Sequence, residues 1–132
     1  MTEIAIRRAG AGDASTVIAL LISLAEYEKL IPPDARGRER LSAELASVNP
    51  RFEAYLAETD GKAIGYAIVF ETYGSFRAKS KLYLEDLFIL PEYRGRGAGK
   101  ALFEAMVKQA REFYRKMGGR RLNALQIFQM EL

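Results

Sequence analysis

The 132-residue sequence contains no cysteine and no histidine. These absences exclude a disulfide framework, a cysteine nucleophile, an imidazole base and zinc sites of the common thiolate or imidazole kind, so no metal centre is expected. Any proton transfer falls to carboxylate, tyrosine, lysine or water. Only 4 prolines accompany 49% hydrophobic and 28% charged residues, which is globular usage and unlike that of a disordered or collagen-like chain. No apolar run approaches membrane-spanning length, and the opening MTEIAIRR lacks the basic head and apolar core of a signal peptide. The expectation is a soluble, cytoplasmic protein with one domain over residues 1–132.

The charges are unevenly spread. Residues 1–76 carry 8 basic and 11 acidic side chains, whereas residues 77–121 carry 12 basic and 5 acidic ones. A basic second half suits an anionic ligand, a phosphorylated cofactor or nucleic acid, and equally a solvated surface. No zinc finger or other reader motif accompanies the charges, so nucleic acid is not the expected partner.

Hydrophobic spacing predicts a mixed α/β domain. Ile4 to Arg8 reads as a short strand. Asp13 is placed to cap a helix whose stripe is Val17, Leu20, Leu21, Leu24 and Tyr27, ended by Pro32–Pro33. A more polar helix follows from about Arg38 to Ser47 and offers Leu41, Leu45 and Val48 to the core. Alternation over 52–59, the pair Asp60–Gly61 and the return Lys62–Glu71 predict a hairpin. Lys81–Leu90 reads as a central strand stopped by Pro91, since both of its faces are apolar or aromatic. Leu102, Met106, Ala110 and Phe113 mark a long helix running from Ala98 toward Gly118–Gly119, and residues 122–132 form a terminal strand. The order predicts a sheet covered by helices.

Between that central strand and the long helix stands Glu92–Gly99, EYRGRGAG, with three glycines at alternate positions. Such a segment turns tightly, exposes successive amides and ends on a helix N-terminus, an anion cradle assisted by Arg94 and Arg96. It is neither a Walker sequence, which needs GKS or GKT, nor a dinucleotide fingerprint, which belongs to a first strand–turn–helix unit. Phosphate binding and a plain structural turn both remain open on composition.

The run YLEDLFILPEYRGRGAGKALFEAM together with REFYRKMG resembles the GNAT N-acetyltransferase superfamily, and within it the small polyamine, diamine and thialysine acetyltransferases. The superfamily's cofactor motif, Arg or Gln, two residues, Gly, one residue, Gly or Ala, falls on Arg94, Gly97 and Gly99. The resemblance implies a mixed, mostly antiparallel sheet flanked by helices and an acetyl-CoA-dependent transfer to a primary amine. It implies that Leu87, Phe88 and Ile89 pair with the pantetheine arm, and that amides from Arg94, Gly95, Arg96, Gly97, Ala98 and Gly99, with Lys100 nearby, receive the pyrophosphate. Glu85 matches a carboxylate that relays the amine's proton, and Tyr114 a tyrosine that protonates the departing thiolate. Tyr27, Glu28, Glu85 and Asp86 are expected to bind the amine substrate.

The chemistry asks for those residue types, because an alkylammonium must lose a proton before its nitrogen attacks, and the departing sulfur is helped by an acid. Each also has a plainer reading. Glu85 and Asp86 can pair with Lys79 or Lys81, Tyr114 can pack on its helix face, and Glu26, Glu28 and Asp34 form either an acidic mouth for a polyamine or a solvated surface. Tyr27, Tyr66, Phe70 and Tyr73 suit a substrate pocket and ordinary packing alike.

The sequence departs from the family in one place. Gln109–Ala110 runs directly into Arg111–Glu112–Phe113–Tyr114, where relatives insert a turn, a strand and a loop. A continuous helix from Gly99 would carry Tyr114 about 22 Å from the phosphate cradle. One late strand is therefore expected to be missing, through a shortened chain, an omitted segment or exchange with a second subunit, and a homodimer is expected to cover the exposed edge. Beside the transferase stand two alternatives: a catalytically impaired CoA-binding protein, and a structural or interaction module with a vestigial glycine loop.

Overall fold

The computed structural model describes residues 3–116 and the strand over 125–131. Five strands form one sheet in the order β1 (Ala5–Arg8), β2 (Glu53–Thr59), β3 (Lys62–Gly74), β4 (Lys79–Ile89) and β5 (Leu125–Glu131). The first four pair antiparallel and β5 runs parallel to β4. Helices α1 (Ala14–Glu28) and α2 (Ala35–Ala46) precede β2, and α3 (Ala98–Lys116) links β4 to β5. The sheet covered by helices is what the hydrophobic pattern leads one to expect, and its mixed, mostly antiparallel pairing is what the resemblance implies.

Local chemistry sets the ends of these elements. Asp34 accepts from the Gly37 amide at 2.8 Å, so α2 begins three residues before Arg38. Asp13 does not cap α1. Its carboxylate accepts from the Gly10 amide at 2.8 Å and pairs with Arg7, which also reaches Glu58 on β2. The first helix stops at Glu28, ahead of the prolines, because Lys29 turns left-handed (φ 58°) and the Leu30 amide returns to Ala25 O. Val48, expected in the core, is fully exposed beyond the end of α2. Asp60 and Gly61 both take positive φ, as a two-residue hairpin turn of the primed kind requires.

Two hydrophobic layers enclose the sheet. On one face α3 lays Leu102, Met106 and Ala110 against Ala67, Val69, Leu84, Leu87 and Ile89. On the other, Val17, Leu20 and Leu24 of α1 cover Leu56, Tyr66, Ile68 and Phe88. The long helix passes through Ala110 without reversal as far as Lys116. Gly118–Gly119, expected to end it, lie outside the described residues. The slot beside β4, expected to be short of a strand, is filled by β5 of the same chain, paired from Leu82↔Leu125 to Phe88↔Glu131.

Gly65 faces Ile89 across the β3–β4 ladder, and a Cβ there would sit 2.6 Å from the Phe88 carbonyl oxygen and against the Ile89 side chain. Gly65→Ala should therefore destabilise the fold by about 1–3 kcal/mol through overpacking against backbone. Urea unfolding reads this directly, and an unchanged midpoint would show that the two strands are not locked at that spacing.

Candidate functional site at the end of the central strand

The chemistry-bearing residues lie on β4 and on the loop that follows it. In the β3–β4 ladder Ile68 stands opposite Asp86 and Val69 opposite Leu84, so Glu85 is an extra residue, a β-bulge. The insertion reverses the facing of the strand. Leu82 and Leu84 before it, and Leu87 and Ile89 after it, all point to the α3 layer. Asp86 and Phe88 consequently point to the α1 layer, where the Asp86 carboxylate accepts a 3.0 Å hydrogen bond from the Tyr66 hydroxyl.

Both partners of that bond are buried. Burial pushes the Asp86 carboxyl up to about 6, the negative charge of Glu85 adds to the rise, and the Tyr66 bond opposes it. Burial and the adjacent Asp86 push the Tyr66 phenol well above its ordinary range, so it remains a donor. Glu85 is half-buried and is likewise raised by desolvation.

Beyond β4 the chain makes a 3-10 turn over Pro91–Tyr93 and then the glycine loop. Gly95 (φ 77°) and Gly97 (φ 85°) hold left-handed conformations that side chains resist, and no heavy atom lies within 4 Å of a Cβ built on either. Handedness and an open approach select glycine there, not crowding. The Arg94 amide donates to Pro91 O and the Ala101 amide to Gly97 O. Among the described residues the amides from Gly95 to Lys100 have no such acceptor, and they lead into the first turn of α3, whose N-terminus favours an anion. Ala98 and Gly99 are buried, whereas Arg96 and Lys100 are exposed, with the Arg96 guanidinium 5.3 Å from the Tyr93 ring. The donors, charge and open approach fit a pyrophosphate.

Not every residue that the sequence singles out comes to this place. Arg94 turns its side chain away from the loop: Nε donates to Ile89 O at 2.9 Å and the guanidinium lies 4.4 Å from the ring centroid of Tyr27, on the last turn of α1, beside Glu28. Leu87 and Phe88 stand in register with Met130 and Glu131 of β5. The Tyr114 hydroxyl accepts from the Leu82 amide at 3.2 Å, at the opposite end of β4. Seven strand residues, about 23 Å, separate Leu82 from Ile89, so the structure does not bring Tyr114 to the glycine loop. An open groove of about 550 Å³ between α1 and the β2–β3 turn, lined by Thr16, Ser23, Lys62 and Leu90 among others, includes neither Glu85 nor the loop. The donors and carboxylates, not groove volume, locate the site.

The strand β4 thus carries a bulged acidic pair and leads into an open glycine loop on a helix N-terminus. The Acetyltransferase (GNAT) family matches residues 21–128, from within α1 to within β5. This chain belongs to the GNAT family. Thialysine N-epsilon-acetyltransferase of Sus scrofa is 31% identical over 118 residues, covering 83% of this chain and 69% of that protein. Among solved structures, an aminoglycoside acetyltransferase from an uncultured soil metagenomic sample, in complex with sisomicin, shares the fold with a TM-score of 0.67 at 19% identity, covering 98% of this GNAT chain and 78% of the other. A predicted acetyltransferase from Clostridium acetobutylicum, solved with acetyl-CoA, has the same TM-score at 15% identity, covering 98% and 81%. This GNAT protein presents α1 and α3 on opposite faces of its sheet.

Sequence reasoning named Tyr66 only as a pocket or packing residue. Its role as the donor to Asp86 depends on cross-strand register, which a bulge shifts and no spacing rule reveals.

The raised Asp86 carboxyl makes a signed prediction. Its folded-state value lies above the ordinary 3.8, so the folded chain binds more protons between pH 4 and 6. This contribution to stability is complete below the unfolded value and is lost as pH rises through about 6. Wild-type protein should gain about 1 kcal/mol between pH 7.5 and pH 5, and Asp86→Asn should lose most of that gain. Glu85 contributes in the same direction. Asp13, held down to about 2 mainly by its hydrogen bond from Arg7, titrates outside this window. Urea midpoints at the two pH values test the point, and an equal gain in both proteins would place the proton elsewhere.

Proposed function

We propose that the protein is an acetyl-CoA-dependent N-acetyltransferase acting on a primary amine of the polyamine, diamine or lysine-like class, in the cytoplasm. One observation carries this reading: the bulge that holds Glu85 half-buried on β4, about 13 Å by strand rise before Ile89 and the open glycine loop. When bound, acetyl-CoA supplies an activated acetyl thioester. Amides from Gly95 to Lys100, with Arg96 and Lys100, hold its pyrophosphate, and the pantetheine arm meets the end of β4 over Leu87, Phe88 and Ile89. Glu85 takes the proton of the incoming ammonium, directly or through a water, and desolvation raises its affinity for that proton. Asp86, fixed by Tyr66, adds negative charge that favours a cationic substrate. The resemblance of the chain to thialysine acetyltransferases supports an acceptor with an aliphatic amine.

A second reading is favoured by the position of Tyr114. With its hydroxyl on Leu82 N, the thiolate acid expected from the family is out of reach in the single chain, and transfer is slow although cofactor binding persists. Calorimetric titration with acetyl-CoA, followed by thiol release over a panel of primary amines, separates the two. Saturable binding with turnover supports the transferase, and binding without turnover the impaired protein. A folded sample that does not bind overturns both.

In an active protein Glu85→Gln should lower kcat about 100-fold with the acetyl-CoA dissociation constant unchanged. A kcat within a few-fold of wild type would remove Glu85 from proton transfer. We also place a second copy along the edge of β5, which has β4 on one side only in the described sheet. Sedimentation at micromolar concentration should show a dimer, and a monomer would exclude that arrangement.

A further inference from the structure

Arg94 opens the glycine loop, yet its side chain serves another part of the fold. Its Nε is committed to the Ile89 carbonyl at 2.9 Å. Its guanidinium carbon lies 4.4 Å from the ring centroid of Tyr27 and 5.5 Å from that of Phe88, both within cation–π range. Nη2 is buried without a hydrogen-bond partner among the described residues. A buried, incompletely bonded guanidinium is a costly way to fill space, so what holds it is the aromatic contact together with the single bond to Ile89. Tyr27 in turn is about half exposed and packs on Phe88 at 6.3 Å, and Phe88 packs on Tyr66, the donor to Asp86, at 6.4 Å. A continuous contact path thus runs from the first residue of the glycine loop, through the end of α1, to the buried carboxylate.

We propose that Arg94 is a positioning residue that ties the last turn of α1 to the glycine loop through Tyr27, so that occupation of the loop by the cofactor's phosphates also orders the end of α1. The inference rests on the acetyl-CoA reading of the loop. The geometry supports it because Arg94 is the first residue of the loop and Tyr27 lies in the last turn of α1, so their contact joins the two segments directly. The turn after α1 is left-handed at Lys29, and its succeeding Leu30 and Ile31 side chains are exposed, with Ile31 at 97%. Beside the Arg94–Tyr27 contact, the helix end is held by the packing of Tyr27 on Phe88, by the buried Leu24 and Ala25, and by the backbone bonds Lys29 N to Glu26 O and Leu30 N to Ala25 O. Loop order and helix-end order are therefore coupled, and linkage makes the coupling equal in both directions.

Hydrogen exchange on the full chain, with and without saturating acetyl-CoA, tests the tie. In wild type, binding should slow exchange both at amides 95–100 and at amides 27–31. Tyr27→Leu should keep the first effect, lose the second, and raise the acetyl-CoA dissociation constant about 2–10-fold. Tyr27→Phe, which keeps the ring, should behave as wild type, whereas Arg94→Lys, which loses the planar fork and the bond to Ile89 O, should behave as Tyr27→Leu. Because the Tyr27 ring is half exposed, these variants are expected to fold, which circular dichroism checks. If amides 27–31 remain protected on binding in both Tyr27→Leu and Arg94→Lys, or if Tyr27→Phe matches Tyr27→Leu, the tie is overturned. Absence of protection even at amides 95–100 in wild type would instead overturn the cofactor reading, and the inference would fall with it.

Discussion

Ile68 opposite Asp86 and Val69 opposite Leu84 leave Glu85 as one extra residue in β4, and the rest of the site depends on that insertion. A regular strand would alternate without interruption, carrying Asp86 and Phe88 to the same face as Leu82 and Leu84. That face is the α3 core, where a carboxylate would lie among Leu102, Met106 and Ala110. The bulge returns Leu87 and Ile89 to that core and sends Asp86 to the opposite side, where Tyr66 supplies the donor that a buried carboxylate needs. One inserted residue thereby keeps the carboxylate out of the α3 core and sets it beside its donor in the α1 layer.

The same strand sets the limits of the site. Its C-terminal end delivers the chain into a 3-10 turn and two left-handed glycines, and α3 starts immediately afterwards. Because α3 must cross back over the sheet, it runs antiparallel to β4 and lays Tyr114 beside Leu82, at the far end of the strand. The helix length of about 22 Å expected from Gly99 to Tyr114 and the strand length of about 23 Å from Leu82 to Ile89 describe the same displacement. The uninterrupted helix fixes Tyr114 beside Leu82, at the end of β4 away from the glycine loop.

Much of this arrangement was legible beforehand. Element order, hairpin position and the glycine loop follow from local rules: apolar spacing of three and four on α1 and α3, an Asp–Gly pair at the β2–β3 turn, and Pro91 at the end of β4. The departures have equally local causes. Asp34 captures the Gly37 amide and starts α2 early, Arg7 draws Asp13 away from α1, and Val48 falls beyond a helix that has already ended. In each case a side chain had more than one possible partner, and spacing does not rank them.

What the amino-acid sequence determined by itself is the set of chemical groups and the local backbone: a chain without histidine or cysteine, and glycines placed where left-handed turns expose amides before a helix. Those properties reside in single residues or short windows. Only the tertiary structure decided which groups meet. Tyr66 and Asp86 stand 20 positions apart, Tyr27 and Arg94 farther still, and Tyr114 lies 32 from the amide that bonds it. Their contacts depend on strand register, on the direction in which α3 returns and on which face a bulge presents. A one-residue shift in register turns a side chain from one face to the other, so these contacts are properties of the assembled sheet rather than of any local window.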